Sequence, residues 1–422
     1  MVRPAGDAGF CIMAGFFRST AQMEDFRMKT MDHESGQDAV SLIFTGDIGF
    51  DKYMQNRWED PELLSPAVQA FFDSGDHVIA NVEGALTEQQ DNGSHGVFFH
   101  SMNPAAVSLL HKIHADIWNI SNNHIMDAGK EGLENTRKLA EQNGASTIGA
   151  GRNEQEASKP VLLPEAGGIG MFGVAYMAEC IPATATDPGV FRWDDLEKIE
   201  ERIREIKEHC RWCIVVAHGG EEFAALPNPY TRERYIKYLE MGADVVVAHH
   251  PHVVENYELL PDGKAIFYSL GNFIFDTDYQ RAHSYTDRGV LLKLIFSEQD
   301  MKFEALGTRI VRGKEVIQEE KVPQIFTDVS AREYDLLSPL SANAFLMEER
   351  KKMIYLEPER FRNASEEVWN AYFFSEEPDG YFVGAHMDLS LIVPHAEKAK
   401  LRDWEASSLS EVKEYLLTMA SL

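Results

Sequence analysis

Between residue 40 and about residue 275, apolar runs of strand length alternate with amphipathic stretches of helix length. "VSLIFTG", "DHVIANVEG", "ADIWNI", "GGIGMFGVAY", "WCIVVAHGG" and "ADVVVAHHPH" are the apolar runs. The helical stretches include "SPAVQAFFDSG", with Ser65 placed to cap it, "NPAAVSLLHKIH", with Asn103 and Pro104 at its start, "KEGLENTRKLAEQNG", "DDLEKIEERIREIKEHC" and "TRERYIKYLEMG". Strand–helix–strand alternation predicts parallel pairing, because a parallel strand is reached only through a crossover. Further on, "NYELL", the turn "PDG" and "KAIFYSLGNFIF" read as a hairpin, and "GVLLKLIFS" and "MKFEALGTRIV" as antiparallel strands. The expected fold class is α/β, α+β in part, with two mixed β-sheets stacked between helical layers.

The run ends carry the chemistry. Asp47 follows "SLIFT", Glu83 follows "HVIAN", Asn123 and His124 follow "ADIWNI", His218 closes "CIVVA", and His249, His250 and His252 follow "ADVVV". In an open sheet, the carboxyl ends of strands face one crevice, so these residues can converge. Taken singly, an Asp after a strand is usually a turn residue, a lone His a satisfied polar group, and an Asn pair a turn former. Their recurrence at successive strand ends favours a site. Carboxylate, amide and imidazole donors without thiolate suit one or two divalent ions, Mn, Fe or Zn. In an extended stretch, His250 and His252 point the same way. Asn123 offers a side-chain oxygen to a metal, His124 is free to act on a substrate, Asp127 is placed to orient that imidazole, and Asn122 and the helix start offer donors to an anion.

Lys and Arg total 40 against 68 Asp and Glu, a net charge of -28. So acidic a chain is a poor binder of nucleic acid, where phosphate must be neutralised. A small anionic molecule or polymer remains a fitting partner when a metal mediates. The four cysteines make no disulfide framework, and Cys210 and Cys213 are expected on or near a buried strand. No uncharged apolar stretch reaches the length of a membrane span, and "MVRPAGDAGFCIMAGFFRST" lacks a cleavage pattern, so a cytoplasmic location is expected. Residues 1–38 read as a disordered extension, 39–327 as the main domain and 328–422 as a mainly helical appendage.

"TGDIGF", "NVEGALT", "NNHIMDAGKEGL", "AHGGEEF", "GADVVVAHHPHVVENYE" and "IFYSLGNFIFD", in this order, resemble the CapA family of poly-γ-glutamate capsule synthesis proteins. That resemblance implies a fold similar to the calcineurin-like metallophosphatases and capsule-synthesis proteins as partners. It implies one metal on Asp47, Glu83 and His252, another on Glu83, Asn123, His218 and His250, and His124 as the general acid. Two positions depart from the metallophosphatase pattern. Gly49 stands where a ligand His is expected two residues after Asp47, which leaves the first metal one ligand short, and Glu83 stands where the bridging residue is usually Asp.

Two functions follow. One is a metal-dependent hydrolase of a phosphoester or γ-glutamyl amide; the other is an accessory protein that holds an anionic polymer without turnover. His124 and Asp127 favour the first, and the missing His the second. Asn272, in "SLGNF", is placed to close the pocket, and Arg281, His283 and Arg288 lie in a polar segment where Arg281 and Arg288 can hold a substrate anion.

Overall fold

The structure, a computed structural model, describes residues 39–88, 99–176, 180–224, 226–329, 331, 332 and 334. The chain divides into two compact units, Val40–Ser330 and a second made of Met1–Ala39 with Ala331–Leu422. The expected N-terminal extension and helical tail lie almost wholly outside the described residues.

The chain opens with β1 (Val40–Gly49), then α1 (Pro66–Asp73), β2 (His77–Val82), α2 (Val107–Lys112), β3 (Ala115–Asn119), α3 (Gly129–Gln142) and β4 (Ser146–Ile148). The second series is β5 (Val161–Leu163), β6 (Ile169–Ala175), α4 (Leu196–His209), β7 (Trp212–His218), α5 (Pro229–Glu240), β8 (Val245–His249), β9 (Tyr257–Leu259) and β10 (Ala265–Phe267). It closes with β11 (Asn272–Phe275), α6 (Asp278–Ala282), β12 (Arg288–Phe296), β13 (Met301–Val311) and β14 (Val316–Glu320).

The first sheet has eight strands in the order β14-β13-β12-β1-β2-β3-β4, with β11 also pairing with β1. Strands β1 to β4 are parallel, and β12 to β14 extend the sheet antiparallel. The second sheet has six strands in the order β9-β10-β8-β7-β6-β5, parallel through β10, β8, β7 and β6 and antiparallel at both edges. The mixed α/β architecture expected from the sequence is therefore present.

Both faces of the central strands are buried. Ile43, Val78, Ala80 and Trp118 pack outward against Val68 and Phe72 of α1, Leu109 and Leu110 of α2 and Leu133 of α3. On the other sheet, Phe172, Val174, Val215 and Val246 meet Ile199, Ile203 and Ile206 of α4 and Tyr235, Tyr238 and Leu239 of α5. Burying each such side chain contributes about 1.5–3 kcal/mol. Between the sheets, Trp212 meets Phe296 with ring centroids 5.2 Å apart, Phe267 meets Phe303 at 5.2 Å, and His249 Nε2 donates to Thr45 O at 2.9 Å. The expected caps form, Ser65 accepting from Val68 N and Asn103 from Ala105 N, and the structure adds Asp195, which accepts from Lys198 N, and Asn228, which accepts from Thr231 N. Cys213 lies in β7 and Cys210 just after α4, both buried with free thiols. No helix among the described residues is long and apolar enough to cross a membrane.

One element differs from the sequence expectation. "KAIFYSLGNFIF" is not a single strand of a hairpin. Its first part, β10, pairs with β9 as expected, but β11 leaves that sheet and pairs parallel with β1 of the other. Gly271, at φ +65, makes the crossing, and a Cβ on Gly46 would fall 2.2 Å from Gly271 O. With glycine at both positions the strands close up, Asp47 N donates to Gly271 O at 2.9 Å, and Asp47 comes into register with Asn272.

Candidate metal centre

The carboxyl ends of the parallel strands in both sheets meet at one place. Asp47 sits near the end of β1, Glu83 just past β2, Asn123 past β3, His218 at the end of β7, and His250 and His252 past β8. Ligand atoms of Asp47, Glu83 and His218 lie within 4.8 Å of one another, and all three residues are buried. His252 joins them, its Nδ1 3.3 Å from Asp47 Oδ2 and its Nε2 3.6 Å from Glu83 Oε1. His218 Nε2 lies 2.9 Å from Asn123 Oδ1 and 3.7 Å from Glu83 Oε1. The His250 ring stands 5.0 Å from that of His218 and 6.1 Å from that of His252.

These residues fit a divalent ion. Asp47 Oδ2, both Glu83 oxygens and His218 Nδ1 are buried and make no hydrogen bond. Orphaned buried groups of this kind are costly unless a cation satisfies them. Burial pushes the Glu83 carboxyl up to about 8, although the charge of His252 pulls it down. Burial disfavours charge on His252 too, yet Glu83 and Asp47 drive its pKa up to about 10. Burial and the neighbouring imidazoles hold His218 well below the ordinary histidine value, which keeps it neutral as a ligand must be.

Side-chain bonds set the first carboxylate. Ser121 Oγ donates to Asn119 Oδ1, Asn119 Nδ2 to Asn81 Oδ1 at 2.8 Å, and Asn81 Nδ2 to Asp47 Oδ1 at 2.7 Å. This buried polar ladder crosses three adjacent strands and leaves Oδ2 of Asp47 facing the centre. Sequence reasoning passes over it. Its one signal is an asparagine inside each of the apolar runs "VIANV" and "DIWNI".

The two histidines around Pro251 do not lie in an extended stretch. His250 has φ +99 and His252 φ +57, left-handed conformations that are rare and strained away from glycine. A tight turn, rather than strand alternation, brings both rings to the cleft. His249, beside them, turns to Thr45 instead and ties the sheets together.

His124 stands at the mouth. Its side chain is 15% exposed, against 1% for His218, and its Nδ1 donates to Asp127 Oδ2 at 2.7 Å. Asn122 is buried, its Oδ1 accepting from the backbone N–H groups of Gly84 and His124 and its Nδ2 donating to Val82 O. Asn272 Oδ1 accepts from His252 Nδ1 at 2.9 Å, while its amide nitrogen donates to Gln280 Oε1 and Thr286 O. Arg281 pairs with Asp276 and Glu315 and lies over the Tyr53 ring, and Arg288 stands over the Tyr285 ring. The hydrogen bonds of Asn122 and Asn272, and the ion pairs of Arg281, are thus spent within the protein.

Two more residues escape sequence reasoning. Phe223, at φ +65, stacks on His283 with centroids 3.8 Å apart and faces His252 at 6.2 Å. His100, just before the short strand Ser101–Met102, packs its ring against those of His124 and Phe275.

The profile of the family described as bacterial capsule synthesis protein PGA_cap matches residues 41–277. The chain is 31% identical over 251 residues to "PGA biosynthesis protein CapA" of Bacillus subtilis (strain 168), covering 58% of this chain and 65% of that protein. It is 27% identical over 255 residues to "Capsule biosynthesis protein CapA" of Bacillus anthracis, covering 57% and 61%. A third relative, "Probable polyglutamine synthesis accessory protein" of Mycobacterium tuberculosis, is 24% identical over 216 residues, covering 48% and 56%. The chain thus spans less than two thirds of the length of each of these curated relatives.

Proposed function

Because the chain belongs to the family of bacterial capsule synthesis proteins, we propose that it serves the synthesis or processing of an anionic capsule polymer as a metal-dependent hydrolase. Its target is a γ-glutamyl amide or a phosphoester. The names of the Bacillus relatives support the polymer. The observation that carries the chemistry is the convergence of Asp47, Glu83 and His218. In this reading, Asp47, Glu83 and His252 hold one ion, and Glu83, Asn123, His218 and His250 hold another. A divalent ion there supplies Lewis acidity and an activated water at neutral pH.

The remaining work falls to the protein. Asp127 fixes the Nδ1 hydrogen of His124, which directs Nε2 to the leaving group, where it delivers a proton. Buried walls exclude bulk water and strengthen each charge interaction within the cleft. The net charge of -28 lies over the whole chain and is screened beyond about 8–10 Å, so the local cation sets the preference for anions.

The test is elemental analysis of protein purified without chelators, followed by displacement with small ligands. Bound Mn, Fe or Zn, competition by γ-glutamyl oligomers or phosphoesters but not by neutral sugars of equal size, and loss of that competition in Glu83→Gln are the expected results. Anion binding that survives complete metal removal would overturn the reading.

A further inference from the structure

The two proposed metal sets are unequal: one has four protein ligands, the other only Asp47, Glu83 and His252. Gly49 contributes no side chain, but the space beside it is filled. A Cβ on Gly49 would fall 2.5 Å from Phe275 Cδ2 and 2.6 Å from His100 Nε2, and one on Gly84, next to Glu83, would fall 2.7 Å from His100 Cδ2 and 3.4 Å from Nε2. The two glycines flank the two carboxylates; both make room for this imidazole, which shares the space at Gly49 with the Phe275 ring.

His100 is prepared for a cation. It is 4% exposed, and its Nε2 is buried with no hydrogen-bond partner. Its Nδ1 donates to Asp51 Oδ2 at 3.3 Å. A neutral imidazole carries one hydrogen, so with Nδ1–H on the carboxylate the lone pair lies at Nε2. One nitrogen on a carboxylate and the other bare is the usual state of a metal-binding histidine. The ring also lies among the functional rings. Its centroid is 5.4 Å from that of His124 and 4.8 Å from that of Phe275, and Phe275 packs at 4.8 Å against His252.

We propose that His100 is a further metal ligand, reaching the Asp47–His252 side of the centre from a separate segment and supplying the nitrogen that Gly49 cannot. The inference rests on the metal-centred reading above. A purely structural role exists for the same residue, since its backbone N–H donates to Asp127 Oδ2 at 2.8 Å, but that bond is independent of the side chain. Substitution therefore separates the two roles.

The experiment is a Co²⁺ titration of the full chain, followed by calorimetry and visible absorption, with bound metal counted after desalting. The wild type should take two ions in distinguishable phases. In His100→Ala and His100→Gln the tighter phase should persist, and the weaker should lose affinity by at least the roughly 10–100-fold that loss of a ligand's outer partner costs, together with its share of the absorption. Circular dichroism and a melting curve check folding. Should both variants fail to fold, Asp51→Asn decides, because it frees the imidazole without removing it: a weakened second phase supports the assignment, and unchanged binding overturns it. Two unchanged phases in a folded His100 variant overturn it, and so does a wild type that takes one ion only. A wild type that takes no divalent ion sinks the metal-centred reading itself.

Discussion

Asn81 Nδ2 donates to Asp47 Oδ1 at 2.7 Å, one step of a ladder that crosses from β3 to β1. Both residues are fully buried, so neither partner can turn to water instead. Asn81→Ala should orphan Asp47 Oδ1 and Asn119 Nδ2 at once, at a cost of about 1–3 kcal/mol for each. Denaturant unfolding of the metal-free protein measures it, and an unchanged midpoint would show that the ladder does not hold the carboxylate.

In the proposed reading, His124 serves turnover and not metal binding. Its ring is tied to Asp127 and sits at the cleft mouth. His124→Ala should leave metal content intact and lower hydrolysis by about 10²–10⁴. A variant that loses metal in step with activity would make His124 a ligand and end its assignment as the acid.

The Gly46–Gly271 approach has no slack. Gly46→Ala puts a methyl 2.2 Å from a backbone oxygen, where no side-chain rotation can relieve it. The expected loss is more than about 3 kcal/mol, beyond the usual range for overpacking. Gly263→Ala is the control: its Cβ meets nothing within 4 Å, and only φ +82 opposes it, which costs about 1–2 kcal/mol. Melting temperatures of the two variants should differ in that order.

His77 supplies a pH dependence away from the metal cleft. Its Nδ1 donates to Asp116 Oδ2 at 2.5 Å, and that bond raises its pKa above the ordinary value in spite of partial burial. A raised histidine stabilises the fold fully below its unfolded pKa of about 6.5, and the contribution fades as pH rises through the folded value. The stability gap between wild type and His77→Gln should therefore be larger at about pH 5.5 than at about pH 9. A gap that grows with pH would contradict the pairing.

The strand ends were legible because β-strands follow short-range rules. An apolar run that stops on Asp47 or His218 declares both the strand and the crevice it faces. What pairs with what was not legible. The Asn119–Asn81–Asp47 ladder depends on register between segments far apart in sequence. The sequence pairs His250 with His252 by strand alternation, whereas the fold places them through positive φ at both residues. The pairing of Arg281 with Asp276 and Glu315 is likewise visible only in the fold. His100 lies at no predicted strand end, and the room left by Gly49 and Gly84 and the ring contacts with His124 and Phe275 connect it to the site only once the chain is folded.

Asp47 and Glu83 come from one sheet and His218 from the other. A slip of one residue in β1 or β2 would swing Asp47 or Asn81 to the opposite face, and incomplete docking of the sheets would leave His218 out of reach. In the metal-centred reading the site would act as a checkpoint on assembly, since these side chains coincide only when strand register and sheet docking are both correct. Metal retention would then be a measure of correctly finished chains, and a captured ion would hold the two layers to the arrangement that admitted it.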